Sequence, residues 1–177
     1  TRPKLQASYV HRLCLAAQCA LAESITELSG ENAWLGWPND IYTKKGKIAG
    51  VLLESFTQGN QLNFVNIGFG VNTGTKPSLD NSACVSVQRK ELVQNFLDRF
   101  EALSIQDTTL VARWEGLCPY IQAQIEAKLV HLDGSLSQES VSGIFLGLNP
   151  LGNLVIKDTE GKTTNFAPGM LYALHKH

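Results

Sequence analysis

The chain has 177 residues, of which 44% are hydrophobic and 18% charged, with a formal net charge of −1. This is enough apolar material for one domain of ordinary size, or one domain with a small appendix, and it excludes a disordered tail. The near-zero charge leaves no electrostatic footprint for nucleic acid or an anionic membrane, and no apolar run approaches the roughly 20 residues of a membrane-spanning helix.

Read in chain order, residues from about Ser8 to Leu28 place Tyr9, Val10, Leu13, Cys14, Ala17, Leu21, Ile25 and Leu28 at helical spacing. The pattern predicts a long amphipathic helix with one core face, stopped by Gly30. Residues 33–72 predict three strands joined by Lys44-Lys45-Gly46 and Gln58-Gly59-Asn60, short glycine-bearing turns that make the sheet antiparallel. Residues 73–86 are loop-like. A second helix is predicted over about 88–103, with Leu92, Val93, Phe96, Phe100 and Leu103 as its stripe. A third is predicted over about 108–117, capped by Asp107, with Leu110, Val111 and Trp114 inward and Gly116 and Pro119 at its end. After Tyr120 the texture changes to short strands near 125–132, 140–148, 153–158, 162–166 and 170–174, separated by turns such as Asp133-Gly134 and Glu160-Gly161. Strands at such close spacing predict a small barrel. The expected architecture is α+β: a mixed, mainly antiparallel sheet with helices on one face over 1–121, then a small β-barrel over 122–177.

The cysteines Cys14, Cys19, Cys84 and Cys118 form no CxxC pair and fall in helical or strand-like patterns. Free thiols in a reducing cytosol are the expectation, and hence a cytoplasmic protein. His11, His131, His175 and His177 are scattered, which argues against a zinc site; no structural metal is expected.

The richest stretch is 36–72. With period two, Leu62, Phe64, Asn66, Gly68, Gly70 and Asn72 share one strand face, and Asn63, Val65, Ile67, Phe69 and Val71 take the other, apolar face. Two glycines on one face of a strand suggest that a ligand or another backbone approaches closely there. The neighbouring strand offers Lys47, a cation, beside Gly50, a second bare patch. This predicts a ligand floor. Taken singly, each part has an ordinary reading: Trp37-Pro38 can pack a strand entrance, Asn39-Asp40 can form a turn, and Lys47 can be a solvated hairpin cation.

The combination, however, resembles a known family. Trp37-Pro38-Asn39-Asp40, then Lys47 in Lys-Ile-Ala-Gly-Val-Leu-Leu-Glu, then Gly68-x-Gly70-x-Asn72, is similar to the biotin protein ligases, as are Arg113-Trp114-Glu115 and the terminal β module. The resemblance implies a fold of the class II aminoacyl-tRNA synthetase and biotin ligase type, here incomplete, followed by an SH3-like barrel. It implies a two-step reaction: biotin and Mg-ATP give biotinoyl-AMP, and a lysine of a biotin carboxyl carrier domain then takes the biotinoyl group. It implies Lys47 as the catalytic residue, a biotin site of Lys47, Gly50, Val51, Leu52, Gly68 and Gly70, and an ATP and Mg²⁺ site of Asn39, Asp40 and Asn72. Biotin, ATP and Mg²⁺ are the implied cofactors, and a homodimer is an implied assembly.

Two departures accompany the resemblance. The family usually carries a lysine immediately before Trp-Pro-Asn-Asp, and here that position is Gly36. The family's glycine/arginine-rich loop belongs upstream of the first helix, and no such stretch is present. The expected partner is therefore the missing N-terminal part of a ligase, without which this chain is expected not to label a carrier at a useful rate. Two other readings stay open: a lipoate or octanoate transfer enzyme, and a non-catalytic binding module derived from a ligase.

Overall fold

A computed structural model describes the backbone of residues 5–75, 77–131 and 133–176, and the side chains of the same residues except 173–176. His177 lies outside the described residues. Among the described residues, two antiparallel sheets and three α-helices make up the fold.

The first sheet contains β1 (Leu5–Gln6), β2 (Trp34–Gly36), β3 (Asp40–Thr43), β4 (Gly46–Gln58) and β5 (Gln61–Val71), in the order β1-β5-β4-β3-β2. The segment expected as the first of three strands is split into β2 and β3 by the turn at Trp37-Pro38-Asn39. Pro38 has no N–H to give a ladder, so the chain reverses there.

Helix α1 (Val10–Ser29) follows a 3-10 turn at Ala7–Tyr9 and ends where Gly30 adopts a left-handed φ of 70° and donates its N–H to the Thr26 carbonyl. It is not the one-faced helix that the periodicity predicts. Leu13, Leu15, Ala16, Ala17, Gln18, Cys19, Ala20, Leu21, Ala22 and Ile25 are all buried, which leaves little of the helix for solvent. The alanines are the reason: small side chains let β-strands pack on one side and helices α2 (Arg89–Ala102) and α3 (Thr109–Gly116) on the other. Ion pairs tie the three helices together, with Arg99 reaching Glu23 and Glu27 and Arg113 reaching Glu23 at 2.6 Å. α3 starts within a residue of its expected position, and the Asp107 carboxylate accepts the Thr109 N–H at 2.8 Å.

The second sheet contains β6 (Gln124–Val130), β7 (Leu136–Leu148), β8 (Leu154–Lys157), β9 (Thr163–Phe166) and β10 (Leu171–Lys176), in the order β10-β6-β7-β8-β9. All five were legible as strands, although β7 starts earlier than expected. Phe145 of β7 and Leu154 and Ile156 of β8 point inward and join the same apolar core as α1 and the first sheet.

Polar contacts also cross between the parts. Arg12, only 3% exposed, donates from Nε to the Ile105 carbonyl at 2.6 Å and from its two terminal nitrogens to Pro150 and Asp107 carbonyls at 2.5 Å. One guanidinium thus joins α1, the loop before α3 and the β7–β8 turn. Glu115 accepts the Leu148 N–H at 2.7 Å.

All four cysteines are free. Burial pushes the thiols of Cys14, Cys19 and Cys118 up to about 12, so they stay protonated across the physiological range. At about pH 8 the folded protein is expected to be alkylated by iodoacetamide at the half-exposed Cys84 and spared at the other three until it unfolds. Equal labelling of Cys14 and Cys84 would contradict this. Arg12→Met, which keeps apolar bulk but takes the Arg12 donor away from three carbonyls, is expected to cost about 3 kcal/mol in urea unfolding. A loss below about 1 kcal/mol would mean that the clamp contributes little.

Candidate active site

The site is built on the sheet-one face opposite α1. Gln18, fully buried in the middle of α1, braces it from behind: Nε2 donates to the carbonyls of Gly36 (3.5 Å) and Asp40 (3.4 Å), and Oε1 accepts the Trp114 indole N–H (3.0 Å). A buried amide must find partners, and here its partners are the two strand ends that flank the Trp-Pro-Asn turn. Trp37 is buried, and its indole N–H donates to Gly152 of the β7–β8 turn at 3.4 Å. The Trp37–Pro38 peptide bond is cis.

Two bulges decide which side chains reach the open face. On β4, Ile41 pairs with Ala49 but Tyr42 pairs with Lys47, so Ile48 is an extra residue. Ile48 and Ala49 are both buried, and the shift brings Lys47 to the same face as Gly50. Period two alone would have put them on opposite faces. On β5, Phe56 pairs with Phe64 but Thr57 pairs with Leu62, which makes Asn63 the extra residue. Leu62 therefore turns inward to pack with Leu13 and Val65, correcting the expectation that it shares the face of Phe64 and the glycines. Val65 is buried, and Ile67, Phe69 and Val71 pack on the core as expected.

Gly50 pairs directly with Gly70, and Leu52 with Gly68. A Cβ added at Gly70 would meet no described atom within 4 Å, and one at Gly50 would lie 3.6 Å from an Asp40 carboxylate oxygen. The glycines thus leave this stretch of the face bare, with Asp40 and Lys47 beside it. The Lys47 Nζ lies 2.5 Å from Asp40 Oδ1, and the Tyr42 hydroxyl donates to Asp40 Oδ2 at 3.1 Å. Burial first, and then the charge and hydrogen bond of Asp40, raise the Tyr42 phenol well above its usual range. The Lys47 backbone is itself fixed: its N–H donates to Asn81 and its carbonyl accepts from Ala83, both at 2.7 Å.

Next to this edge lies an open cleft of about 580 Å³. The Trp-Pro-Asn turn, Asp40, Tyr42 and Lys47 form one wall, Asn81 contributes from the loop, and Tyr120, Leu171 and Tyr172 close the far side.

The structure therefore gathers Asn39, Asp40, Lys47, Gly50 and Gly70, with Gly68 and the exposed Leu52 continuing along the same face. Two residues stand differently. The Val51 side chain is buried on the core face, so only its backbone borders the floor. Asn72 turns its amide nitrogen to the Ala83 carbonyl at 2.9 Å, holding the 82–85 segment beside β4. Sequence reasoning missed Gln18, Tyr42, Tyr120 and Tyr172. Gln18 alone left a signal, as an uncharged polar residue inside an otherwise apolar helical run.

A profile of the biotin/lipoate A/B protein ligase family matches residues 1–72. The bifunctional ligase/repressor BirA of Bacillus subtilis is 26% identical, over 90% of this chain and 52% of its own length. The biotin–[acetyl-CoA-carboxylase] ligase of Paracoccus denitrificans is 28% identical, over 91% of this chain and 72% of its own. The chain is thus similar to biotin protein ligases over about nine-tenths of its length. In fold it is similar to the apo biotin protein ligase of Aquifex aeolicus, with a TM-score of 0.73 at 20% identity over 97% of this chain and 77% of that one. The chain thus spans only about half the length of the Bacillus relative. Among the described residues no helix is long and apolar enough to cross a membrane.

A glycine that serves a ligand has a simple signature. Gly70→Ala is expected to leave unfolding stability unchanged or raise it by about 0.5 kcal/mol, because the added methyl meets no atom and stiffens the unfolded chain. A loss above about 1 kcal/mol in denaturant titration would make the glycine structural instead.

Proposed function

We propose that this chain carries the biotin and nucleotide site of an ATP-dependent biotin–protein ligase. The observation that carries the reading is the Lys47–Asp40 pair held above paired glycines at the mouth of a cleft. In the proposed reaction an oxygen of the biotin carboxylate attacks the α-phosphorus of ATP. A P–O bond forms, the bond to the β-phosphate breaks, and pyrophosphate leaves. The ε-amine of a lysine on a biotin carboxyl carrier domain then attacks the acyl carbon of biotinoyl-AMP, forming the amide, expelling AMP and losing a proton.

Biotin carboxylate and the α-phosphate are both anions, and Lys47 is the cation that would lie between them and stabilise the developing charge. Gly50, Gly68 and Gly70 leave room for the biotin rings, with Leu52 as an apolar flank and the Val51 backbone beneath. The nucleotide would occupy the adjoining cleft beside Asn39 and Asp40, with Asn72 holding the loop that fixes Lys47. Magnesium would enter as part of the nucleotide. It usually needs only one or two carboxylates from the protein, and the single carboxylate of Asp40 fits that demand. The Aquifex relative has been solved with biotin and ATP, and its fold matches this chain with a TM-score of 0.70. The proposed partner is the carrier domain of a biotin-dependent carboxylase, the proposed setting the cytoplasm, and a homodimer the proposed assembly. We further propose residues 1–121 as the catalytic portion, related to class II synthetases, and 122–177 as an SH3-like barrel. The seven-residue turn between α3 and β6, where Gln122 has a φ of 64°, supports a boundary there.

In single-turnover measurements of adenylate formation on the protein extended upstream, Lys47→Ala is expected to slow the step by about 10²-fold or more. A rate within about threefold of the unaltered protein is worth less than 1 kcal/mol and would remove Lys47 from the mechanism.

A further inference from the structure

The ring of Tyr42 lies against Gly36. The two residues are diagonal neighbours across β2 and β3, where Trp34 pairs with Tyr42 and Gly36 with Asp40. A Cβ added at Gly36 would sit 2.6 Å from Tyr42 Cε2 and 3.2 Å from Cδ2, so any side chain at residue 36 must push the ring aside. From this seat the hydroxyl reaches Asp40 Oδ2, while Asp40 Oδ1 holds the Lys47 ammonium. Gly36, Tyr42, Asp40 and Lys47 thus form one line of contacts that ends at the cation above the floor.

We propose that Tyr42 is a positioning residue: its hydroxyl orients the Asp40 carboxylate, and through it the Lys47 ammonium, and Gly36 exists to give its ring a seat. Lys47 is half-exposed on a four-carbon stem, and a lysine so placed samples many rotamers unless a fixed counter-ion gathers them. Asp40 supplies that counter-ion only if its own carboxylate is held, and Tyr42 holds it. The phenol is kept protonated by burial and by Asp40, so it remains a donor throughout the physiological range. A pre-placed cation costs a bound anion less ordering than one that must be recruited. The inference rests on the ligase reading in taking biotin as that anion.

The test is nuclear magnetic resonance on protein carrying carbon-13 at the tyrosine ζ position, with the Tyr42 signal assigned by its loss in Tyr42→Phe. Gly36→Ala and Asp40→Asn are each expected to shift that signal. An unmoved Tyr42 signal in Gly36→Ala would overturn the seat, and with it the proposal. The same samples are then titrated with biotin. Tyr42→Phe and Gly36→Ala are each expected to weaken binding about fivefold, the loss of one ordinary hydrogen bond. The double variant is expected to bind no worse than Tyr42→Phe alone, because Gly36→Ala acts only through the hydroxyl. Effects that multiply would overturn the proposal, as would biotin affinities unchanged in both single variants. Thermal unfolding of the variants separates positioning from stability: affinity that falls with an unchanged unfolding midpoint supports positioning, and affinity that merely tracks the midpoint refutes it. Unaltered protein that binds no biotin even when extended upstream would refute the ligase reading, while the tyrosine signal would still judge the Gly36–Tyr42–Asp40 contact.

Discussion

A sheet that must leave one face bare has to do all its packing with the other. On β4 and β5 the open face is stripped at Gly50, Gly68 and Gly70, so it contributes little burial. Stability falls to the opposite side, where Ala49, Val51 and Val65 meet α1. That demand accounts for the character of α1, whose middle is alanine-rich and buried nearly all round. A helix sandwiched between a sheet and two further helices needs small residues for close approach. Its polar groups, Arg12 and Gln18, survive inside because each donor nitrogen they bring has a carbonyl to meet.

Those two polar residues also link the packing to the chemistry. Gln18 fixes the backbone on either side of the Trp-Pro-Asn turn, and Arg12 fixes the turn between β7 and β8. Trp37 closes the circuit by donating to Gly152 in that second turn. The cleft wall supplied by Tyr120, Leu171 and Tyr172 is therefore held in register with Asp40 and Lys47 by buried contacts. Loosening the second sheet would be felt at the site, although none of these anchors touches the floor.

Much of this was legible in the sequence, for reasons that can be named. The Gly30 stop, the Asp107 cap and the closely spaced late strands come from local chemistry, which sequence carries directly. The glycine pair on β5 and the cation on β4 were readable because a strand without side chains violates propensity, and violations mark ligand sites. What escaped depends on register. The bulge at Ile48 puts Lys47 over Gly50, and the bulge at Asn63 turns Leu62 inward; neither extra residue has a sequence signature. The all-round burial of α1 escaped because alanine is silent in a hydrophobic pattern. Tyr42 escaped because its role follows from the emptiness at Gly36, a relation that exists only in space. The departure at Gly36 thus acquires a local steric reason.

The account stands or falls on whether a carboxylate is activated over this floor. Biotin-dependent exchange of labelled pyrophosphate into ATP reads the first step alone and needs no carrier protein. For the protein extended upstream, the prediction is exchange that requires biotin, saturates with it and disappears in Lys47→Ala. Exchange that proceeds equally without biotin, or that answers to octanoate or lipoate in its place, would contradict the account.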